Sequence, residues 1–427
     1  MARISKLLEK DSKKTIGTAE NLCLIHYQTQ QFSIFRNKIL SDSRGCSTDV
    51  LNTLAVIFKP LDQIEYKLDS YFWDLARSSI DLVKGGFSGT LVRLIKIIEV
   101  EEKLDEALSM QDFGTSTSAE MNDVLRGRTI RSFRIKFFDI IREQINQEVR
   151  KIYNDQEKEM IPVLEEFNTI IDKLIFIHDE VTPIFPRRYN IFHFYVLEYH
   201  RSIYNILNTM TEGEMEPASL LTLIKWVREY YDNVNSRLGV SEDLLEPKLL
   251  DGREEEYMSS YVTLARGKLT EWLKNILHSE TADFLERKVP PEMDTSGQFL
   301  LTGSVIAFQM FNQQLDVVAS SSRGHLLSEI VRECCVVMNE FQSAWIKIID
   351  LEYNKFTQKS NDLNEGLVEY LIALANDCMR STEFSDTIST RLESMSDGQY
   401  KQTNIEQVFI CSISLNPNRL KLFWRDS

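Results

Sequence analysis

Glycine and proline are both scarce in this chain of 427 residues, at 16 and 9. The usual shares are about 7% and 5%. Few turns can then need a positive φ and few loops can turn on a rigid corner, which excludes a strand-rich fold and favours long helices. The six cysteines (Cys23, Cys46, Cys334, Cys335, Cys378 and Cys411) show no C-x-x-C pair and no framework spacing. That excludes a disulfide scaffold or zinc ribbon and fits a reduced, cytosolic setting. Adjacent Cys334 and Cys335 read as two small buried hydrophobes. No run approaches the ~20 apolar residues of a membrane span, and no apolar signal core follows the first residues. A soluble chain is expected. Basic charge is also short, with 49 Lys and Arg against 64 Asp and Glu, giving −15. Nucleic-acid binding, which draws its affinity from a basic stripe, is excluded as a broad function.

What the chain does have is apolar residues at helical spacing. Leu61, Ile64, Leu68, Phe72, Leu75 and Ile80 form one stripe, and Leu91, Leu94, Ile95, Ile98 and Leu104 another. Phe133, Phe137, Ile141 and Ile145 make a third. A single helix is expected from Asn154 to Glu180, and further helices carry Tyr195, Tyr199 and Ile203, then Leu220, Ile224, Val227 and Tyr231. The stretch from Glu271 to Ala319 organises the second half. Tyr261, Leu264, Leu269, Trp272, Ile276 and Phe284 precede a paired-proline break at Pro290-Pro291, and Val305, Phe308, Phe311, Leu315 and Val318 follow it. Two prolines in series stop any helix. Thr302 or Ser304 can cap the next one, and the two helices are expected as antiparallel neighbours. Trp73, Trp226, Trp272 and Trp345 read as core anchors. Only Val408–Leu415 alternates like a strand.

The expected fold is therefore all-α: consecutive antiparallel helical bundles stacked into an elongated rod. The expected divisions are an N-terminal helical segment over 1–45, a first bundle over 46–182, a second over 183–390, and a divergent, poorly ordered tail over 391–427. The connector Val181–Tyr189, with Pro183 and Pro186, marks the boundary between the bundles.

The search for chemistry returns no catalytic, metal or cofactor residues. Lys84-Gly85-Gly86-Phe87-Ser88-Gly89 lacks the lysine of a phosphate loop and the spacing of a nucleophile elbow, so it reads as an interhelical turn. His193 and His200 are seven apart, not the four a helical zinc site needs. One conspicuous basic segment remains: Arg126, Arg128, Arg131, Arg134 and Lys136. A solvated face with acidic neighbours is its plainer reading. The sharper one is a contact patch for an acidic partner helix or anionic headgroups.

Several blocks in order carry a resemblance. They are Tyr189-Asn190-Ile191-Phe192, the Trp226 helix ending at Leu238-Gly239, Phe284-Leu285-Glu286-Arg287 before Pro290-Pro291, and Phe308–Gln314. The last is Gly366–Ala373 with Ala375-Asn376-Asp377. Together they resemble the Sec-six subunit of the exocyst (exocyst complex component three), in its fungal form. The resemblance covers most of residues 20–390. It implies a tethering-complex subunit that holds secretory vesicles at the plasma membrane before SNARE-mediated fusion. It implies binding to other exocyst subunits, to SNARE proteins and to a Sec/Munc-type regulator, in the cytoplasm and peripherally at sites of exocytosis. It implies no enzyme activity and no cofactor. Relatives start with a longer coiled-coil region and continue through further bundles, so this chain is expected to be shortened at both ends. The alternatives are a generic helical scaffold or adaptor of another trafficking or cytoskeletal complex and, last, a helical enzyme.

Overall fold

The computed structural model describes residues 1–13, 18–112, 119–213, 215–320, 324–358 and 365–413. It divides into two units: Met1–Glu212 with Tyr230–Leu249, and Gly213–Glu229 with Leu250–Ser427. The boundary expected at 182/183 does not coincide with that division. Val181, Phe185 and Tyr189 are buried within the first unit, with the Phe185 ring 5.8 Å from that of Phe137. Aromatic burial holds the proline-bearing connector down.

The first unit holds α1 (Ala2–Lys13), α2 (Leu22–Asp42), α3 (Thr48–Arg77), α4 (Ser79–Lys84), α5 (Ser88–Asp112), α6 (Ala119–Leu125), α7 (Phe133–Asp155), α8 (Met160–Phe176) and α9 (Ile191–Met210). The stripe of α3 is buried from Phe58 through Leu75, and the helix runs unbroken through Pro60. The carbonyl that Pro60 leaves without an amide partner belongs to Val56, an exposed residue, where water can satisfy it. The helix expected over Asn154–Glu180 starts later, at Met160, because α7 runs on to Asp155. Glu157 and Lys158 take positive φ between α7 and α8, and Ile177–Val181 continue as a π turn. No glycine marks that corner, which is why the expected start falls a few residues early. Gly86, at φ +79°, does occupy the expected turn between α4 and α5.

α10 (Pro217–Leu238) opens on a proline at its first turn, where the missing N–H costs nothing. Its residues through Glu229 count with the second unit and those from Tyr230 with the first. The second unit continues with α11 (Glu254–Glu286), β1 (Glu292–Met293), β2 (Phe299–Leu300), α12 (Gly303–Ala319), α13 (His325–Thr357), α14 (Leu367–Met395) and α15 (Gly398–Ile413). Direction follows from the cross-helix bonds. Tyr261 meets Gln314 and Glu280 meets Gly303, so α11 and α12 are antiparallel, as expected. Arg266 pairs with Glu333 and Arg287 with Glu352, so α11 and α13 are parallel. Ser304 meets Asp377 and Asp316 meets Arg391, so α12 and α14 are parallel. This is an up-and-down bundle. Its core includes Tyr261, Leu273, Phe284, Phe308, Phe311 and Trp345. Phe284 sits edge-on to both Trp345, at 5.5 Å, and Tyr370, at 6.0 Å.

Three expectations change here. Trp272 is 47% exposed, not a core anchor. The buried ridge of α11 runs through Tyr261, Ala265, Leu269 and Leu273 at spacing four, and Trp272 lies about 100° round from it. The paired prolines lead into a small hairpin, β1 antiparallel to β2 with Met293 opposite Phe299. Asp294 organises its turn by accepting the N–H groups of Ser296 and Gln298, both at 2.9 Å. The strand expected at Val408–Leu415 is helical as far as Ile413, and residues 414 and 415 lie outside the described residues. Asn404 and Val408, four apart, are both buried, so packing against α13 and α14 overrides the β-branched local preference. The tail expected to be poorly ordered over 391–427 is thus helical up to 413.

Candidate functional site

The basic segment between α6 and α7 is mostly turned onto carboxylates of its own unit. Arg128 bonds Glu101 at 2.8 Å and Asp105 at 2.6 Å. Arg131 reaches Glu101 at 3.3 Å and Asp69 at 3.1 Å. Arg134 pairs with Glu102 at 2.9 Å, with its guanidinium 4.6 Å from the Tyr189 ring centre. Arg126 pairs with Asp42 at 3.3 Å on the surface, and Lys136 is exposed. The five residues are therefore not brought together as one open patch.

At the centre lies Glu101, fully buried and also 2.7 Å from His26 Nε2. Burial alone would raise its pKa. The His26 hydrogen bond and the charges of Arg131 and Arg128 outweigh that and hold it at about 2. Asp105 has a second role, accepting the N–H groups of Arg131 and Ser132 at 3.1 and 2.8 Å. Those are donors at the open start of α7, so a carboxylate from α5 caps a helix that its own Ser132 does not.

The second unit repeats the device. Glu280 Oε1 on α11 accepts from Gly303 N–H at 2.6 Å and Thr302 N–H at 3.1 Å. The cap expected of Thr302 or Ser304 comes from Glu280 instead, and the Ser304 hydroxyl donates to Asp377. Burial, then the neighbouring Asp377, pushes Glu280 up to about 7. Asp377 is raised to about 6 by its own burial.

Sequence reasoning missed Glu101, Glu280, Glu352 and Asp377, although a signal was there. Glu101 lies three residues from Ile98 and Leu104, Glu280 four before Phe284, Glu352 three after Ile349, and Asp377 three after Leu374. A carboxylate at helical spacing inside an apolar stripe must find a partner.

The two buried histidines, His26 and His200, are held in structural bonds. His200 is buried between the Tyr230 hydroxyl at 3.1 Å and the Pro247 carbonyl at 2.8 Å, and burial lowers its pKa. Glu198 turns to Arg142 and Arg201. Among the described residues no group of three or more His, Cys, Asp or Glu could hold a metal ion. Nor is any described helix long and apolar enough to cross a membrane.

Long helices, cores built from their apolar stripes and charged faces paired across helices define a helical bundle protein. A fold match agrees: M-Sec, in its crystal structure, superposes with a TM-score of 0.59 at 14% identity, over 97% of this chain and 69% of that one. The family model for exocyst complex component Sec6 matches residues 58–416, and the chain belongs to that family. Exocyst complex component SEC6 of Saccharomyces cerevisiae is 23% identical over 427 residues, spanning 87% of this chain and 53% of that protein. Exocyst complex component sec6 of Schizosaccharomyces pombe is 26% identical over 381 residues, spanning 86% and 50%. The chain thus spans about half the length of the curated relatives it matches.

Proposed function

We propose that this chain works as an exocyst subunit, tethering secretory vesicles to the plasma membrane by binding other proteins and without catalysis. The family match over residues 58–416 carries the reading. The second unit supports it physically: its apolar stripes pack into one core and leave charged helix faces for partners. Its partners are the other exocyst subunits, with SNARE proteins and a Sec/Munc-type regulator engaged at the fusion step. Arg126 and Lys136, at the outer part of the basic segment, are the residues there that would meet an acidic partner or anionic headgroups. The test is affinity purification of the tagged chain with mass spectrometry. Recovery of several exocyst subunits is expected. A folded chain that recovers none of them overturns the reading, and a coherent set from a different complex would replace it with a general helical adaptor.

A further inference from the structure

A cavity of about 400 Å³ opens beneath the Pro290-Pro291 connector of the second unit. Glu280, Asp283 and Glu286 of α11 line it, with Lys288 of the connector, Glu292 of β1 and Tyr370 of α14. Four carboxylates face one ammonium there, and Glu286 takes that ammonium at 2.7 Å. Among the described residues, neither Asp283 nor Glu292 has an ion-pair partner. Glu280 is 8% exposed, and its Oε2 is buried with no hydrogen-bond partner. A buried carboxylate oxygen left unmatched is costly. One ammonium against four carboxylates leaves the site short of positive charge, and the cavity has room for more. No set of described residues could hold a metal ion, and the volume falls within the range of organic ligands.

We propose that this cavity receives an arginine side chain from a partner protein. A guanidinium suits it because the three acceptors without countercharge (Glu280, Asp283 and Glu292) are spread over two walls. A planar fork with five donors can serve several at once, where an ammonium acts as a point charge. The proposal rests on the binding reading above only for the source of the arginine. Its test uses the purified chain alone, so failure to assemble with exocyst subunits would not decide it.

The guest should couple to protons. Glu280 is faced by Asp377 from α14, by the Thr302 and Gly303 amides at the start of α12, and by Asp283 on its own helix. Lys288, Glu286, Glu292 and Tyr370 complete the lining. Burial first, then Asp377 and Asp283, outweigh the two amides, so Glu280 holds its proton up to about pH 7, and an arriving guanidinium would expel it.

The experiment is a ligand-observed NMR titration of the full chain with N-acetyl-arginine amide, using N-acetyl-citrulline amide as the neutral isostere. Arginine should bind at least about tenfold more tightly than citrulline, and more tightly at pH 8 than at pH 6. Glu280→Gln should weaken arginine binding about tenfold and flatten that pH dependence. Asp283→Asn with Glu292→Gln, both at exposed positions that leave the core intact, should weaken it about threefold. Equal affinity for arginine and citrulline, no arginine binding at millimolar concentration, or full affinity in the Asp283/Glu292 double variant would each overturn the proposal.

Discussion

The Arg287–Glu352 pair offers the sharpest test of how the second unit is held. Arg287 Nη2 lies 2.8 Å from Glu352 Oε2, and both side chains are 1% exposed. Arg287 also donates to the Phe284 carbonyl at 2.8 Å, closing the end of its own helix at φ +48°. Glu352 has a second cation, Lys355, at 2.7 Å. Removing one partner of such a pair leaves an uncompensated buried charge, at a cost of about 3–5 kcal/mol. Glu352→Leu should fall in that range, and Arg287→Met near its lower end, because Lys355 stays on Glu352. For a unit of this size that is a drop of roughly 10 °C in Tm. The double variant Arg287→Met/Glu352→Leu removes both charges, so it should recover most of the loss and show a coupling of at least about 2 kcal/mol. Methionine inherits the same positive φ as arginine, so backbone strain is common to both and drops out of the comparison. Urea unfolding of the four proteins, followed by tryptophan emission, closes the cycle. Single variants costing under about 1 kcal/mol, or a double equal to the sum of the singles, would refute the reasoning.

The two buried acids should give opposite pH slopes. Glu101 is depressed from 4.5 to about 2, so it contributes stability above the unfolded value that is lost as pH falls toward 2. That is about 3 kcal/mol, and melting between pH 5 and 2 should lose this slope in Glu101→Gln. Glu280 is raised from 4.5 to about 7, so its contribution is complete below pH 4.5 and lost as pH rises through 7. Glu280→Gln should therefore melt higher than the parent at pH 8, by an amount of about 3 kcal/mol that vanishes near pH 4. Gly303→Ala would drive a methyl into the Glu280 carboxylate and should cost about 1–3 kcal/mol by chemical denaturation. Leu315→Asp buries a charge beside Phe311 and Phe308 and should unfold the second unit, visible as lost cooperativity on melting.

Much of this fold was legible because most helices are two-faced. The stripes of α3, α7 and α9 could be written down from spacing alone, and their buried residues follow them. What escaped was set by distance in sequence or by too little chain. The hairpin has two residues per strand, too few for any period. The α7–α8 corner is made by Glu157 and Lys158, residues that do not advertise positive φ. Arg128 and Arg131 read as a basic run, yet their acids lie 23 to 62 residues earlier, at Asp105, Glu101 and Asp69. Only tertiary structure joins them. Helix starts failed in the same way, since Asp105 and Glu280 cap from other helices and Ser304 turns to Asp377.

Those long-range acids share one consequence. A bundle of aliphatic stripes tolerates sliding, because one leucine replaces another at the next turn. A slide of one turn moves a helix about 5.4 Å, which no 2.8 Å ion pair survives. Arg287–Glu352 fixes α13 against the end of α11, and Glu101 with Arg128 and Arg131 fixes α5 against the entry to α7. Tyr199, Glu148 and Lys173 tie α9, α7 and α8 together, at 2.7 Å for the hydroxyl and 2.5 Å for the ammonium. Desolvation removes most of the net stability such groups can give, so their contribution is to register more than to strength. The hypothesis follows that Arg287→Met/Glu352→Leu will unfold at nearly the parental urea concentration yet lose the uniqueness of its α11–α13 contact. Methyl NMR signals of Leu273, Ile349 and Leu371 should broaden or double in that variant and stay single in the parent. Sharp single signals in both would show that side-chain shape alone sets the register, and the buried pair would then need another explanation.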